Sequence, residues 1–293
     1  LRCARGGNGS IGLSYMTSML VVLGAQKAGT STLMADMHCC SKLNFDQGYK
    51  EESLLLDVTG SSALRRLRRR LNQKKGDVVP VDVSTRYTMS PIESIPFSVI
   101  RTELAGAKFV YLMRDPVDRT KSHYRHDTLL GLASGCVDSE ITLSSCYVAN
   151  SLYGSQLVPW IRAFGSDNIY LVRFEDYIKS RKRTVKEICN FVGVSDEGVD
   201  RIDECKVENV TSSRSAYPRW ISKLSSSLVY RRYFRRYIPS AIIRRGKEQF
   251  SLENTTSPVT IPVDVEEYLM QLYRMDIDLL KRVHPKVPCW HWM

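Results

Sequence analysis

No run of eighteen apolar residues occurs in the chain, so no segment of it reads as a membrane-spanning helix. No C-x-x-C pair occurs either, and Cys39 and Cys40 are adjacent, so the cysteines lack zinc-finger spacing. Eight cysteines are too few for a disulfide-built scaffold, though more than an ordinary enzyme of a reducing compartment carries. Internal repeats are missing, which excludes a solenoid. Acidic residues are in deficit, with 31 Asp and Glu against 42 Lys and Arg and a net charge of +11. Such a field attracts anions, and nucleic acid, anionic glycan and nucleotide cofactor are the ligand classes it favours.

What is present suffices for a buried core, since 43% of the 293 residues are apolar. Residues 1–17 are rich in Gly and Ser and read as a lead-in, leaving 18–293 as a single domain. Short apolar runs predict strands at Met19–Gly24, Asp77–Ser84, Ala107–Met113 and Asn168–Phe174. Helices are predicted after Gly29, with Leu33, Met37 and Cys40 on one side, and over Ser62–Lys75, with Leu64, Leu67 and Leu71 on one face. Others follow at 115–130, with Asp115 as cap and Pro116 in the first turn, at Ser151–Gly165, at 175–194 and at Val263–Val283. Residues 131–146 read as a loop, and Cys136 and Cys146 within it are candidates for a disulfide. Alternating strands and helices predict an α/β fold, a P-loop-like open parallel β-sheet flanked by helices on both faces.

The first motif is "LVVLGAQKAGTSTL", Leu20 to Leu33. Gly24 and Gly29 keep the G-x-x-x-x-G spacing of a phosphate loop, but the lysine of a nucleoside triphosphatase is missing after the second glycine. Lys27 stands inside the loop instead, from where an ammonium reaches a group one atom beyond the first phosphate. The stretch also reads as a glycine-bearing strand end with an exposed lysine. The second motif, "FVYLMRDPVDRTKSHY", puts Arg114 at the end of a strand and Ser122 on the next helix. Arginine grips phosphate in a bidentate fashion, and a serine hydroxyl completes the grip. A salt bridge from Arg114 to Asp118 is the alternative reading.

G-x-x-K-x-G-T-[ST]-x-L after a strand, with R-D-P-x-x-R-x-x-S-x-Y about 90 residues later, resembles the sulfotransferases that use 3′-phosphoadenosine 5′-phosphosulfate. The resemblance runs from Met19 to Trp290 and is nearest the Golgi carbohydrate branch, the heparan and chondroitin enzymes. "SLYGSQLVPWIRAFGSDNIYLVRFEDY", "EEYLMQLYRMDIDLL" and "VPCW" support that placement, and "LGAQKAGT" lacks the aromatic-proline lead-in expected of the cytosolic small-molecule branch. The resemblance implies that Lys27, Ala28, Gly29, Thr30 and Ser31 hold the 5′-phosphosulfate. Arg114 and Ser122 hold the 3′-phosphate, and 3′-phosphoadenosine 5′-phosphate is the product.

It further implies Lys27 on the leaving phosphate and Glu51 as general base, with Glu52 and Asp82 as substitutes. Asp82, Arg86 and Tyr87, in "VDVSTRYTMSP", are expected to line the acceptor cleft, with Thr85 where the family commonly has proline. Arg214 and Tyr217 are expected to close the adenosine pocket, in competition with "RRGK" at Arg244–Lys247. His38 and His123 read as structural. The basic aromatic run Tyr230–Tyr237 reads either as a grip on a sulfated glycan or as a helix face over the core. No metal site is expected, because a sulfuryl group carries less charge than a phosphoryl group. The expected partner is a glycan acceptor and not nucleic acid; a small-molecule sulfotransferase, or a non-catalytic polyanion- or nucleic-acid-binding protein, stands as the alternative. The chain begins at Leu1, which fits removal of a membrane anchor. Sequons at Asn8, Asn209 and Asn254, together with the cysteines, point to the Golgi lumen.

Overall fold

The computed structural model describes residues 18–45, 54–56, 58, 60–89, 93–129, 132–133, 137–142, 145–205 and 260–293. Strand β1 (Leu20–Gly24) lies at the centre of a five-stranded sheet, and all five of its residues are buried. β3 (Val79–Val83) and β4 (Lys108–Met113) flank it, β2 (Leu43–Phe45) and β5 (Ile169–Arg173) form the edges, and every pairing is parallel. Leu20 pairs with Val81 on one side and Lys108 on the other. Parallel strands covered on both faces need apolar side chains at every position, which is why these runs are continuous rather than alternating.

After β1 the chain passes to the edge at β2, returns to β3 beside β1, then crosses to β4 and β5. The winding direction therefore reverses between β1 and β4, and in open α/β sheets the ligand crevice lies at the carboxyl ends of such a strand pair. Both sequence motifs leave the sheet there.

Helix α1 (Thr30–Met37) follows β1 and presents Leu33 and Met37 to the core, with Cys40 just beyond its end, as expected. Helix α2 (Ser61–Leu71) is turned by one position from the predicted face. Ala63, Leu67 and Arg70 are buried, and Arg70 donates to the carbonyls of Asn44 (2.6 Å) and Val81 (3.0 Å). A guanidinium that finds carbonyls at the sheet edge can be buried where the pattern predicted leucine. Helix α3 (Phe97–Glu103), which the periodicity missed, buries only Ile100 fully.

Helix α4 (Pro116–Leu129) follows β4, and the Asp115 carboxylate accepts from the backbone of Val117 (2.9 Å) and Asp118 (3.1 Å), the predicted cap. The expected loop at 131–146 contains α5 (Val137–Glu140) and leads into α6 (Cys146–Ala149), started by the Ser145 hydroxyl accepting from Val148. Cys146 carries a free thiol, so the disulfide expected for it is not formed. It opens α6 instead and packs against the apolar cluster shared by α4 and the C-terminal helix. Cys136 lies outside the described residues.

Helix α7 (Tyr153–Phe164) brings Trp160 against Phe97, Phe109 and Phe164. The predicted helix 175–194 is two, α8 (Phe174–Lys179) and α9 (Arg181–Val192), broken where Ser180 is extended. The break lets Arg181 turn inward and grip Asp36 of α1 through two bonds, Nε to Oδ2 at 2.8 Å and Nη2 to Oδ1 at 2.5 Å. The C-terminal α10 (Val263–Lys281) packs on α7 and α4. Its Asp276 carboxylate accepts from the backbone of Gly154 (2.6 Å) and Ser155 (2.8 Å), capping α7 from 121 residues away.

Candidate active site

The loop after β1 starts beside β4, where the Ala25 amide donates to the Leu112 carbonyl at 2.8 Å. Lys27 (φ 66°) and Gly29 (φ 87°) both take the left-handed conformation, which turns the chain back over the sheet edge and into α1. Side chains rarely hold that shape, so a lysine in it is a device of the loop. Gly29 has a second constraint, because a Cβ there would stand 2.6 Å from Cε2 of Phe174. The first turn of α1 has no acidic residue and no side-chain cap, which suits its positive dipole end to an anion.

Arg114 follows the last residue of β4. Its guanidinium lies 5.3 Å from the centroid of Phe174, and its carbonyl accepts from the Tyr153 hydroxyl at 2.8 Å. The expected alternative, an ion pair with Asp118, is not formed: the Arg114 guanidinium lies over Phe174 instead. Ser122 lies half-buried one face along α4. Two tryptophans of the C-terminal segment brace this turn. Trp292 donates to the Asp115 carboxylate at 2.6 Å, and Trp290 donates to Glu175 at 3.2 Å, whose other oxygen accepts from the Asp115 amide at 2.8 Å. Burial raises the Asp115 carboxyl above its usual range, a shift opposed by the Trp292 bond.

Beneath the loop lies the inner face of α4. Arg119 is fully buried and reaches Ser151 Oγ (2.5 Å), the Gln26 carbonyl (3.4 Å) and the Tyr147 carbonyl. Asn150 donates to the Gln26 side chain at 3.3 Å, and Thr120 shares hydroxyl bonds with Ser151 (2.9 Å) and Tyr273 (2.7 Å). His123 is buried on the same face, and burial, aided by the charges of Arg119, His126 and Lys27, pushes its imidazole down to about 2. It is therefore neutral, as a structural histidine should be. Lys27 is also felt at Asp127, where its charge opposes the upward push of burial.

Asp82 and Tyr87, expected to line the acceptor cleft, are buried and hydrogen-bonded to each other, and the Tyr87 hydroxyl also accepts from the Leu55 amide at 3.3 Å. They fix the segment that leads away from residues 50–53. Arg86 is more exposed and pairs with Glu93. Glu51, Glu52, Arg214, Tyr217, the run at 230–237, Arg244–Lys247 and the three sequons lie outside the described residues. Among the described residues no group of three or more His, Cys, Asp or Glu is placed to hold a metal ion.

The site thus joins Lys27, Gly29 and the start of α1 to Arg114 through one shared ring, Phe174. Phe174 and Arg119 carry weight that the sequence reading did not assign. The signal for Arg119 was a charged residue at the i+4 position from the cap Asp115, on the buried side of α4. A sulfotransferase domain model matches residues 17–251. The chain belongs to the sulfotransferase family.

A sulfotransferase from Alicyclobacillus acidocaldarius shares the fold, with 16% identity, 92% of this chain and 96% of that one covered, and a TM-score of 0.59. Mouse sulfotransferase SULT7A1, solved with PAP, aligns at 13% identity over 92% and 90% of the two chains with a TM-score of 0.42. Retinol dehydratase, solved with androsterone and the inactive cofactor PAP, aligns at 15% over 92% and 83% with a TM-score of 0.38. A comparison with curated protein sequences returns no match. The P-loop-like parallel sheet is that of the sulfotransferase family, and the loop after β1 and α4 leave it at the carboxyl ends of β1 and β4.

Proposed function

We propose that this sulfotransferase moves a sulfuryl group from 3′-phosphoadenosine 5′-phosphosulfate to a hydroxyl of a carbohydrate acceptor. The observation that carries the reading is the placement of two anion-binding elements on neighbouring strand ends, both resting on Phe174. The chain fits such a donor. Arg114 forms no ion pair and Ser122 no hydrogen bond with other described residues, so both are available to a 3′-phosphate. The uncapped start of α1 suits the 5′ end.

The donor supplies an activated sulfuryl group on a phosphate leaving group. The chain's part is to align the acceptor hydroxyl, remove its proton and meet the charge that grows on the leaving oxygen. Lys27 is assigned the last task, supported by its place in the loop and by the reach of its charge to His123 and Asp127. Glu51 is assigned as the base, supported by the family resemblance, and Asp82, Arg86 and Tyr87 border the acceptor side. With a lysine and a helix terminus at the leaving group, transfer needs no divalent metal.

A glycosaminoglycan-like acceptor is supported by the resemblance to the heparan and chondroitin branch and by the excess of 11 positive charges. The sequons at Asn8, Asn209 and Asn254 support action in the Golgi lumen. The test is transfer of labelled sulfate to a panel of glycosaminoglycans, neutral polysaccharides and small alcohols. Label on a polysaccharide supports the reading; label confined to small alcohols overturns the carbohydrate assignment.

A further inference from the structure

Arg119 is a cation at zero exposure, and no carboxylate among the described residues is paired with it. Its three hydrogen-bond partners are neutral oxygens: Ser151 Oγ, the Gln26 carbonyl and the Tyr147 carbonyl. None of the described carboxylates forms an ion pair with it. The ionisable groups it feels most, after burial itself, are Tyr153, Tyr273, Tyr111 and Cys146, all neutral near pH 7. Asp127 lies within range of its field but hydrogen-bonds Tyr147 (3.2 Å) and faces His123 (3.7 Å) instead. Burying a charge without a counter-ion is costly, and a fold that served stability alone would do better with an apolar residue of the same size.

The Gln26 contact shows what this charge is next to. A trans peptide directs its N–H opposite to its C=O. Holding the Gln26 carbonyl therefore turns the Lys27 amide away from Arg119. The positive guanidinium thus stands behind the loop, one peptide from the mid-loop lysine, while the Asn150 bond holds the Gln26 side chain.

We propose that Arg119 is a positioning residue whose buried charge is the standing counter-ion for the phosphosulfate end of the donor, acting through the Gln26–Lys27 peptide. This rests on the donor reading above. The missing anion is supplied by the ligand, and the cost of the unpaired cation in the free protein is recovered on binding.

The experiment compares wild type with Arg119→Met, Arg119→Gln and Arg119→Lys, titrated by calorimetry with adenosine 3′,5′-bisphosphate and with adenosine 3′-monophosphate. At an effective dielectric near 20, removing a charge at this range should weaken the bisphosphate roughly ten- to fiftyfold. The 3′-monophosphate, which has nothing at the loop, should bind the methionine and glutamine variants as it binds wild type. Arg119→Lys should hold the bisphosphate within about threefold of wild type, because the charge is kept. Thermal unfolding of the ligand-free methionine variant should match or exceed wild type. If that variant does not fold, Arg119→Gln, which keeps hydrogen-bond donors without charge, gives the same reading.

Equal loss for both ligands, no loss for either, or a lysine variant as weak as the neutral ones would overturn the inference while leaving the donor assignment standing. A wild-type protein that binds no bisphosphate would overturn both.

Discussion

Gly29 and Phe174, 145 positions apart, touch so closely that a single added carbon on Gly29 would fall 2.6 Å from the ring. Phe174 opens α8 at the end of β5, and Gly29 ends the loop after β1. The same ring sits 5.3 Å from the Arg114 guanidinium, so the loop end and the strand end share a wall. The ring thereby offers a physical reason why a loop and a strand end keep one separation.

Gly29→Ala should therefore disturb both ends of the donor site. The left-handed φ of 87° costs an alanine about 1–2 kcal/mol, and the clash with Phe174 adds to it. Denaturant unfolding should show a loss of about 2–4 kcal/mol. Calorimetry should show affinity for adenosine 3′,5′-bisphosphate falling by at least about tenfold. Full affinity in a folded Gly29→Ala protein would show that the ring does not set the spacing.

The Asp36–Arg181 pair ties α1 to α9, with both side chains nearly fully buried. Tyr177 adds a 2.5 Å bond to the same carboxylate, and the carboxylate holds the guanidinium pKa above its usual value. Asp36→Asn should cost about 3–5 kcal/mol, since it strands a buried cation. Replacing both partners by Leu and Met should cost less than either single change. Equilibrium unfolding of the three variants decides it, and a double variant as weak as the sum of the singles would refute the argument.

His123 gives the fold an acid-sensitive term. In the folded chain burial keeps its imidazole neutral down to about 2, while an unfolded histidine takes its proton near 6.5. Below pH 6.5 only the unfolded state gains that proton, so stability falls with the pH by about 1.4 kcal/mol per unit. The contribution is fully present above 6.5 and is lost as the pH drops towards 2. Between pH 6.5 and 5 the wild type should lose about 2 kcal/mol more than His123→Gln. Parallel pH profiles for the two would contradict the buried neutral histidine.

Lys27 is assigned to the bond that breaks, so its removal should affect rate more than binding. Lys27→Ala should lower kcat by about 10²- to 10³-fold, with a smaller loss in bisphosphate affinity. Single-turnover transfer of labelled sulfate separates the two, and a change in affinity alone would remove Lys27 from the chemistry.

The sheet and most of its helices were legible because continuous apolar runs at β1, β3 and β4 leave little choice but a covered parallel sheet. β2 was not, since three residues show no period, nor was α3, whose seven residues bury little. The break at Ser180 is local in sequence but is set by Asp36, 144 residues earlier, and no window along the chain contains both. At the site, Lys27, Gly29 and Arg114 were readable because backbone approach and phosphate geometry demand those residue types. Phe174 was hidden: an aromatic ring at a strand end reads as core until the glycine it meets is known. Arg119 was hidden for the opposite reason, since a charge in a helix reads as surface.

The central claim is that one nucleotide is gripped at both ends by this edge of the sheet, and a single comparison addresses it. Calorimetric affinities for adenosine 3′,5′-bisphosphate and adenosine 5′-monophosphate would be measured on wild type and Arg114→Ala. The account predicts that the arginine change weakens the bisphosphate by roughly a hundredfold and leaves the 5′-monophosphate unchanged. An equal effect on both nucleotides, or ATP binding to wild type as tightly as the bisphosphate, would contradict it.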